Sequence, residues 1–157
     1  MTPNFKKKIS NPIYFNLFLA HKLPLAFIAG LKLKTLSDDH CQISIKHQWI
    51  NQNPFGSIYF AALAMAAELS TGVLALIECQ QATQPMSMLV SHTQAQFTKK
   101  AKGKILFTCH EGQKIRQAIE QTQTTKQGVA CNITAVGHDE QQNEIAKFIF
   151  TWTFKGK

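Results

Sequence analysis

The stretch from residue 57 to residue 79, SIYFAALAMAAELSTGVLALIEC, predicts one long helix. It contains no proline and is rich in alanine, leucine and methionine, which favour helix. Because the stretch is apolar on nearly every side, the helix is predicted to be buried rather than laid on a surface. The turn sequence NPFG at 53–56 comes directly before it, and Ser57 is the predicted N-cap.

Six other stretches alternate apolar and polar residues with a period of two, which is typical of half-buried strands. The first starts at Leu31, and the others cover 41–49, 86–97, 105–109, 129–135 and 145–154. The second stretch places on one face Cys41, Ile43, Ile45, His47 and Trp49. In the third, the register of alternation is expected to change near Leu89 and Val90.

The order of these elements indicates the architecture. Strands and helices do not alternate regularly, so a doubly wound parallel sheet is not supported. An antiparallel sheet has an apolar face that must be covered, and the long apolar helix is the obvious cover. We therefore predict one α+β domain over residues 1–157, in which a sheet of five to six strands wraps around the buried helix. A shorter helix is predicted near residues 111–122.

The N-terminal segment resembles a signal peptide, because Lys6, Lys7 and Lys8 precede an apolar stretch. Polar residues and prolines interrupt that stretch, so a signal peptide is not supported. We predict instead an additional amphipathic helix over 11–21, with Pro12 in its first turn. Contact of this segment with a membrane surface, through the three lysines and residues 13–18, stays open as an alternative.

Composition excludes several classes of protein. The chain has 157 residues, of which 45% are hydrophobic, and a formal net charge of +8. It is too apolar for a disordered polybasic chain, and no aromatic stacking pattern indicates nucleic-acid binding. Its 4 cysteines form no CxxC pair, and the histidines show no metal-binding spacing. We expect a reduced, cytoplasmic protein that binds neither nucleic acid nor metal.

One acidic residue stands out within the apolar helix. Between Cys41 and His110 the only acids are Glu68 and Glu78, and Glu68 lies in the middle of the helix. Burying an unpartnered carboxylate costs several kcal/mol or raises its pKa. Glu68 is therefore the main functional candidate, unless its carboxylate is capped by a hydroxyl or N–H group or reaches water. The residues three, four or seven positions away, which share its face, are mostly small: Ala61, Ala64, Met65, Thr71, Gly72 and Ala75.

A second candidate is a basic turn between two predicted strands. Its four lysines surround Gly103, and they are Lys99, Lys100, Lys102 and Lys104. Such a cluster could bind a phosphate group as point charges, and the alternative is a solvated turn. The sequence Asp38-Asp39-His40 also joins two predicted strands, and we interpret it as a solvated turn rather than a metal site.

The strand pair, the Asn-x-x-Gly turn and the buried helix with one acid resemble hotdog-fold acyl-CoA thioesterases. The nearest branch is the phenylacetic-acid-degradation type with its uncharacterised relatives. That family places Asn or Gln six residues before a His-Gly-Gly that starts the helix, and an acid nine residues after the His. Here Asn53 matches the first position and Glu68 matches the acid. Tyr59 takes the place of the His, and Phe60 and Ala61 replace the two glycines.

The resemblance implies a hotdog fold and hydrolysis of an acyl-CoA or acyl-carrier thioester, with no cofactor besides the coenzyme A of the substrate. Glu68 would be general base or nucleophile, the N–H of Phe60 or Ala61 would bind the oxyanion, and Asn53 and Tyr59 would orient the substrate. Ser57, Thr71 and Gly72 would line the site, and the lysine cluster would meet the phosphates.

In such enzymes the two halves of a site come from opposite subunits, which implies a homodimer or a dimer of dimers. Because the His-Gly-Gly is missing, the alternative is a non-catalytic acyl-CoA or fatty-acyl binding protein of the same fold.

Overall fold

A computed structural model describes residues 4–157 of the chain. Six strands and five α-helices make up most of the described chain. The helices are α1 (Asn4–Ile9), α2 (Pro12–Lys22), α3 (Pro24–Ile28), α4 (Phe60–Gln81) and α5 (Gly112–Thr125). The strands are β1 (Lys32–Leu36), β2 (Cys41–Lys46), β3 (Met86–Phe97), β4 (Lys104–Cys109), β5 (Val129–His138) and β6 (Glu144–Gly156).

All six strands form one antiparallel sheet in the order β1-β2-β4-β5-β6-β3. The long helix α4 packs against five of them, β2 to β6. This confirms the predicted α+β architecture, an antiparallel sheet of about six strands around a central helix. The register of β3 shifts between Val90 and His92, next to the change that the sequence indicates.

The helix α4 is buried because it is apolar on most of its sides. Twelve of its residues are buried, among them Ala66, Ala67 and Ala75. In the described part of the chain, α4 alone is long and apolar enough to cross a membrane. Of its most apolar window, 67% is buried inside the protein, so α4 is the core helix of this fold.

The predicted N-cap of this helix is wrong. The helix begins at Phe60 with Tyr59 as its N-cap, and no side chain caps it. Backbone pairing holds the preceding residues extended, because the Tyr59 N–H donates to the Asn51 carbonyl at 2.8 Å. The Ile58 N–H likewise donates to the Ala101 carbonyl at 2.9 Å. Ser57 therefore lies two residues before the N-cap position and cannot cap the helix.

The second strand is shorter than its alternation indicates. It ends at Lys46, and a 3-10 turn follows at Trp49–Asn51. The Asn51 side-chain amide donates to the carbonyls of Lys46 at 2.8 Å and Ala29 at 3.1 Å, which turns the chain away from the sheet. Trp49 is consequently 81% exposed, and its predicted place on the same strand face as Cys41, Ile43 and Ile45 is wrong.

Three helices precede the sheet, where the sequence indicates one. The Asn11 side chain caps α2 by accepting from the N–H groups of Ile13 and Tyr14. Phe15 and Leu19 form the buried side of α2, whereas its outer side leaves Ile13 and Leu17 exposed. The short helices α1 and α3 lie on either side of α2 along the chain and also contact α4.

Candidate active site

Glu68 lines an apolar cavity between α4 and the N-terminal helices. The cavity has a volume of about 510 Å³. Its other walls include Phe5, Phe18, Leu69, Val73, Leu76 and Met88. Burial in these surroundings raises the pKa of Glu68 from 4.5 to about 7. Within the described residues, no hydrogen bond or opposite charge offsets that effect. A carboxyl of this kind exchanges its proton near neutral pH, as a general base must.

The missing side chain of Gly72 makes room for this carboxylate. A Cβ atom at Gly72 would lie 3.0 Å from the Oε1 atom of Glu68 and 3.4 Å from the Trp152 ring. Since Gly72 also lines the cavity, it is adjacent to the predicted catalytic group. Sequence spacing alone places the two residues one helical turn apart.

Thr71 does not line the cavity, although its spacing from Glu68 places it on the same face of α4. Its hydroxyl donates to the backbone carbonyl of Glu68 at 2.8 Å and accepts from Trp152 Nε1 at 2.9 Å. The side chain is fully buried and is absent from the cavity lining. Thr71 therefore joins α4 to β6.

Asn53 and Ser57 lie in the turn before α4. The Asn53 side-chain amide donates to the Ser57 hydroxyl at 2.9 Å, and its carbonyl accepts from the Phe55 N–H at 3.0 Å. Gly56 has a φ of +71°, a left-handed conformation that favours glycine. Asn53 thus closes the turn that fixes where the helix starts.

Tyr59, Phe60 and Ala61 are located at the start of α4. Tyr59 and Phe60 are 49% and 56% exposed. The Tyr59 carbonyl accepts from Ala62 and Leu63, and no residue in the described chain accepts from the N–H of Phe60 or Ala61. These two N–H groups lie at the positive end of the helix dipole and point away from the helix, so they can bind an anion.

The predicted site residues form two separate groups within one chain. Glu68 follows Phe60 by eight helical residues, a distance of about 12 Å along the helix axis. One thioester carbonyl therefore cannot contact both the carboxylate and the free N–H groups of the same chain. Glu68 and Gly72 share the cavity, whereas the start of α4 holds the others: Asn53, Ser57, Tyr59, Phe60 and Ala61.

The segment that carries Lys100 lies beside the start of α4. The Ile58–Ala101 backbone hydrogen bond joins the two segments, and the Lys100 Nζ atom is 5.9 Å from the centre of the Phe55 ring. Lys99 donates to the Asn143 side chain at 3.0 Å. Lys100 is thus close to the helix start, whereas Lys104 lines a separate pocket with Gln42 and Leu106.

The other polar cluster has protein partners. Asp38 pairs with Lys6, and the Arg116 Nη2 atom lies 3.4 Å from an Asp39 carboxylate oxygen. The residues that the structure describes contain no group of three or more His, Cys, Asp and Glu side chains arranged to hold a metal.

Sequence reasoning did not identify the N-terminal wall of the cavity. Tyr14, Phe18 and Lys22 line it from α2. Their spacing of four residues forms one stripe of the helix, and this is the signal that could have identified a lining face. Nothing in the sequence pattern links that stripe to Glu68, because some fifty residues of chain separate them.

Known structures identify the architecture as the hotdog fold. A Pseudomonas aeruginosa protein described as a probable thioesterase matches with a TM-score of 0.77 and 21% identity, over 96% of this chain and 99% of its own. A Chlorobaculum tepidum protein of unknown function matches with a TM-score of 0.77 and 13% identity, over 94% and 98% of the two chains. A Haemophilus influenzae thioesterase matches with a TM-score of 0.64 and 9% identity, over 93% and 91%.

The family assignment is narrower than the fold. Residues 13–154 match the model of the family described as Domain of unknown function (DUF4442), so the chain belongs to that family. No curated protein matches the chain. Because these structures are at most 21% identical to the chain, they establish its fold but not its reaction.

Proposed function

We propose that this protein hydrolyses an acyl-CoA or acyl-carrier thioester and that Glu68 is its general base or nucleophile. The observation that carries the proposal is a carboxyl with a pKa of about 7 in an apolar cavity. Near neutral pH such a group is partly ionised, so it can take a proton from the attacking water. Alternatively, its carboxylate attacks the thioester carbon itself and water then releases the acyl group.

In this proposal the active form is a homodimer, or a dimer of dimers. The oxyanion binds the free N–H of Phe60 or Ala61 from a second copy, because those of the same chain are about 12 Å from Glu68. The edge strand β3 supports pairing between copies, since its outer side is unpaired and residues 91–97 are exposed. Asn53 positions the helix start, and Tyr59 orients the substrate beside it.

In this proposal the substrate is an anionic small molecule. The exposed lysines at 99, 100 and 102 meet the phosphates of the carrier group as point charges. The protein acts in the cytoplasm, where its four free cysteines remain reduced. Its catalytic groups are all amino-acid residues.

A panel of acyl-CoA substrates tests the proposal. We expect Glu68→Gln to lower kcat/KM by about a hundredfold or more, because glutamine cannot accept the proton. The matched control is Glu78→Gln, the same change on the same helix. Glu78 is paired with Arg116 at 3.2 Å and lies outside the cavity lining. Equal rates in wild type and Glu68→Gln would contradict the assignment of Glu68.

A second candidate function is the binding of acyl-CoA or fatty-acyl ligands without hydrolysis. It is favoured by the bulk around the predicted oxyanion site, where the Phe60 ring lies edge-on to Tyr59 and Phe97 at 5.1 and 6.3 Å between ring centres. Calorimetric binding of acyl-CoA with no release of free thiol would support this function over hydrolysis.

A further inference from the structure

The cavity beside Glu68 is elongated along α4. The helix contributes one stripe to its wall, from Glu68 through Leu69, Val73 and Leu76 to Gln80. Twelve residues separate the two ends of this stripe, which is a rise of about 18 Å. Between those ends the helix presents only apolar side chains and Gly72, so this wall suits an apolar chain.

The opposite wall comes from helices that lie outside the sheet-and-helix core. Phe5 of α1 and Tyr14 and Phe18 of α2 line this side, and Met88 of β3 completes it. Phe15 and Leu19 anchor α2 to the protein from its buried side. The N-terminal helices therefore form one side of the space over α4.

A second cavity meets the first at Glu68. It has a volume of about 300 Å³ and shares with the first cavity Lys22, Leu23, Glu68 and Leu69. Its remaining lining comes from Met65 on α4 and from Pro24, Leu25 and Ala26 on α3. Glu68 thus stands where two arms join, one beneath α1 and α2 and one beside α3. The ammonium-bearing Lys22 borders both arms.

We propose that the arm beneath α1 and α2 holds the acyl chain of the substrate, with the thioester carbonyl at Glu68. The carrier thiol and its pantetheine occupy the arm beside α3 and leave past Lys22. This assignment rests on the proposed function and extends it to a substrate class. An extended saturated chain advances about 1.25 Å per C–C bond. The arm of about 18 Å therefore accommodates straight acyl chains of up to about fourteen carbons.

Leu76→Trp tests the arm, since Leu76 lies about 12 Å from Glu68 along the helix and a larger ring there would block the distal part. We expect kcat/KM for dodecanoyl-CoA and tetradecanoyl-CoA to fall about tenfold or more, and that for butanoyl-CoA and hexanoyl-CoA to change less than about twofold. Leu17→Trp is the matched control, because Leu17 is 64% exposed on the outer side of α2. It should leave the chain-length profile unchanged.

A binding measurement separates this inference from the proposed reaction. Non-hydrolysable acyl-CoA thioethers of the same chain lengths are titrated calorimetrically into wild type and Leu76→Trp. If neither protein hydrolyses thioesters but the variant loses affinity only for the long thioethers, the thioesterase proposal fails and the acyl arm stands. If wild type hydrolyses thioesters and Leu76→Trp affects all lengths equally, the acyl arm is refuted and the reaction stands.

Phe18→Ala changes the wall of the same arm that faces α4. If circular dichroism shows that Leu76→Trp does not fold, Phe18→Ala becomes the test of the acyl arm. Because this change widens the arm, we expect the preferred chain to become longer or to include branched acyl groups. An unchanged chain-length profile in Phe18→Ala would overturn the assignment.

Discussion

Replacing Glu68 with glutamine should stabilise the folded protein at neutral and higher pH, while it lowers kcat/KM by about a hundredfold or more. Well below pH 4.5, the carboxyl is protonated in the folded and the unfolded chain, so burial carries no ionisation cost. Between pH 4.5 and about 7 the unfolded chain releases this proton while the folded chain keeps it, so the free energy of unfolding falls as pH rises. Above pH 7 both states are ionised and the loss is complete.

The size of the effect follows from the raised pKa. One pKa unit is worth about 1.4 kcal/mol, so a rise from 4.5 to about 7 destabilises the folded protein by about 3 kcal/mol above pH 7. Glutamine carries no charge at any pH and avoids this loss. For a chain of this size, about 3 kcal/mol corresponds to roughly 6–12 °C in Tm.

Urea unfolding at pH 4.5 and pH 8.5 measures this difference, at one fixed protein concentration because association of copies, as the proposed dimer requires, would add to stability. The Glu68→Gln protein should gain about 3 kcal/mol over wild type on going from pH 4.5 to pH 8.5. Glu120→Gln, at an exposed position on α5, controls for the loss of one negative charge. A gain that is the same at both pH values would refute the claim that the Glu68 carboxyl is desolvated and ionises at a cost.

Two further variants examine the surroundings of the site. Gly72→Ala should favour helix by up to about 1 kcal/mol yet lower kcat/KM about tenfold, because its Cβ atom would lie 3.0 Å from the Glu68 carboxylate; full activity in a steady-state assay would contradict the tight fit. Changing Lys99, Lys100 and Lys102 to alanine together should raise KM for acyl-CoA several-fold and flatten its salt dependence, with kcat retained. A KM that does not respond would remove the lysines from substrate binding.

The sequence suffices to predict the central helix and the candidate acid, and the reasons are local. A run of apolar residues without proline favours a buried helix wherever it lies, and a lone carboxylate within it must be desolvated. Both statements concern neighbours along one helix. The raised pKa of Glu68 agrees with that expectation.

The predictions from sequence are wrong where contacts between distant segments determine the local structure. Ser57 is a good capping residue by type, but the pairing of Tyr59 with Asn51 delays the start of α4 until Phe60. Trp49 continues an alternating pattern, but the Asn51 side chain binds the Lys46 carbonyl and ends the strand. Such hydrogen bonds leave no periodic trace in the sequence, and neither does the packing of α2 over Glu68.

The pH dependence of kcat/KM for acyl-CoA hydrolysis tests the role of Glu68 most directly. Since the ionised carboxylate is the form that accepts a proton or attacks, kcat/KM should rise with pH and level off, with an apparent pKa of about 7. A kcat/KM that stays constant from pH 5.5 to pH 8.5 would contradict the account, because a carboxyl with this raised pKa would then not be the group that performs the reaction.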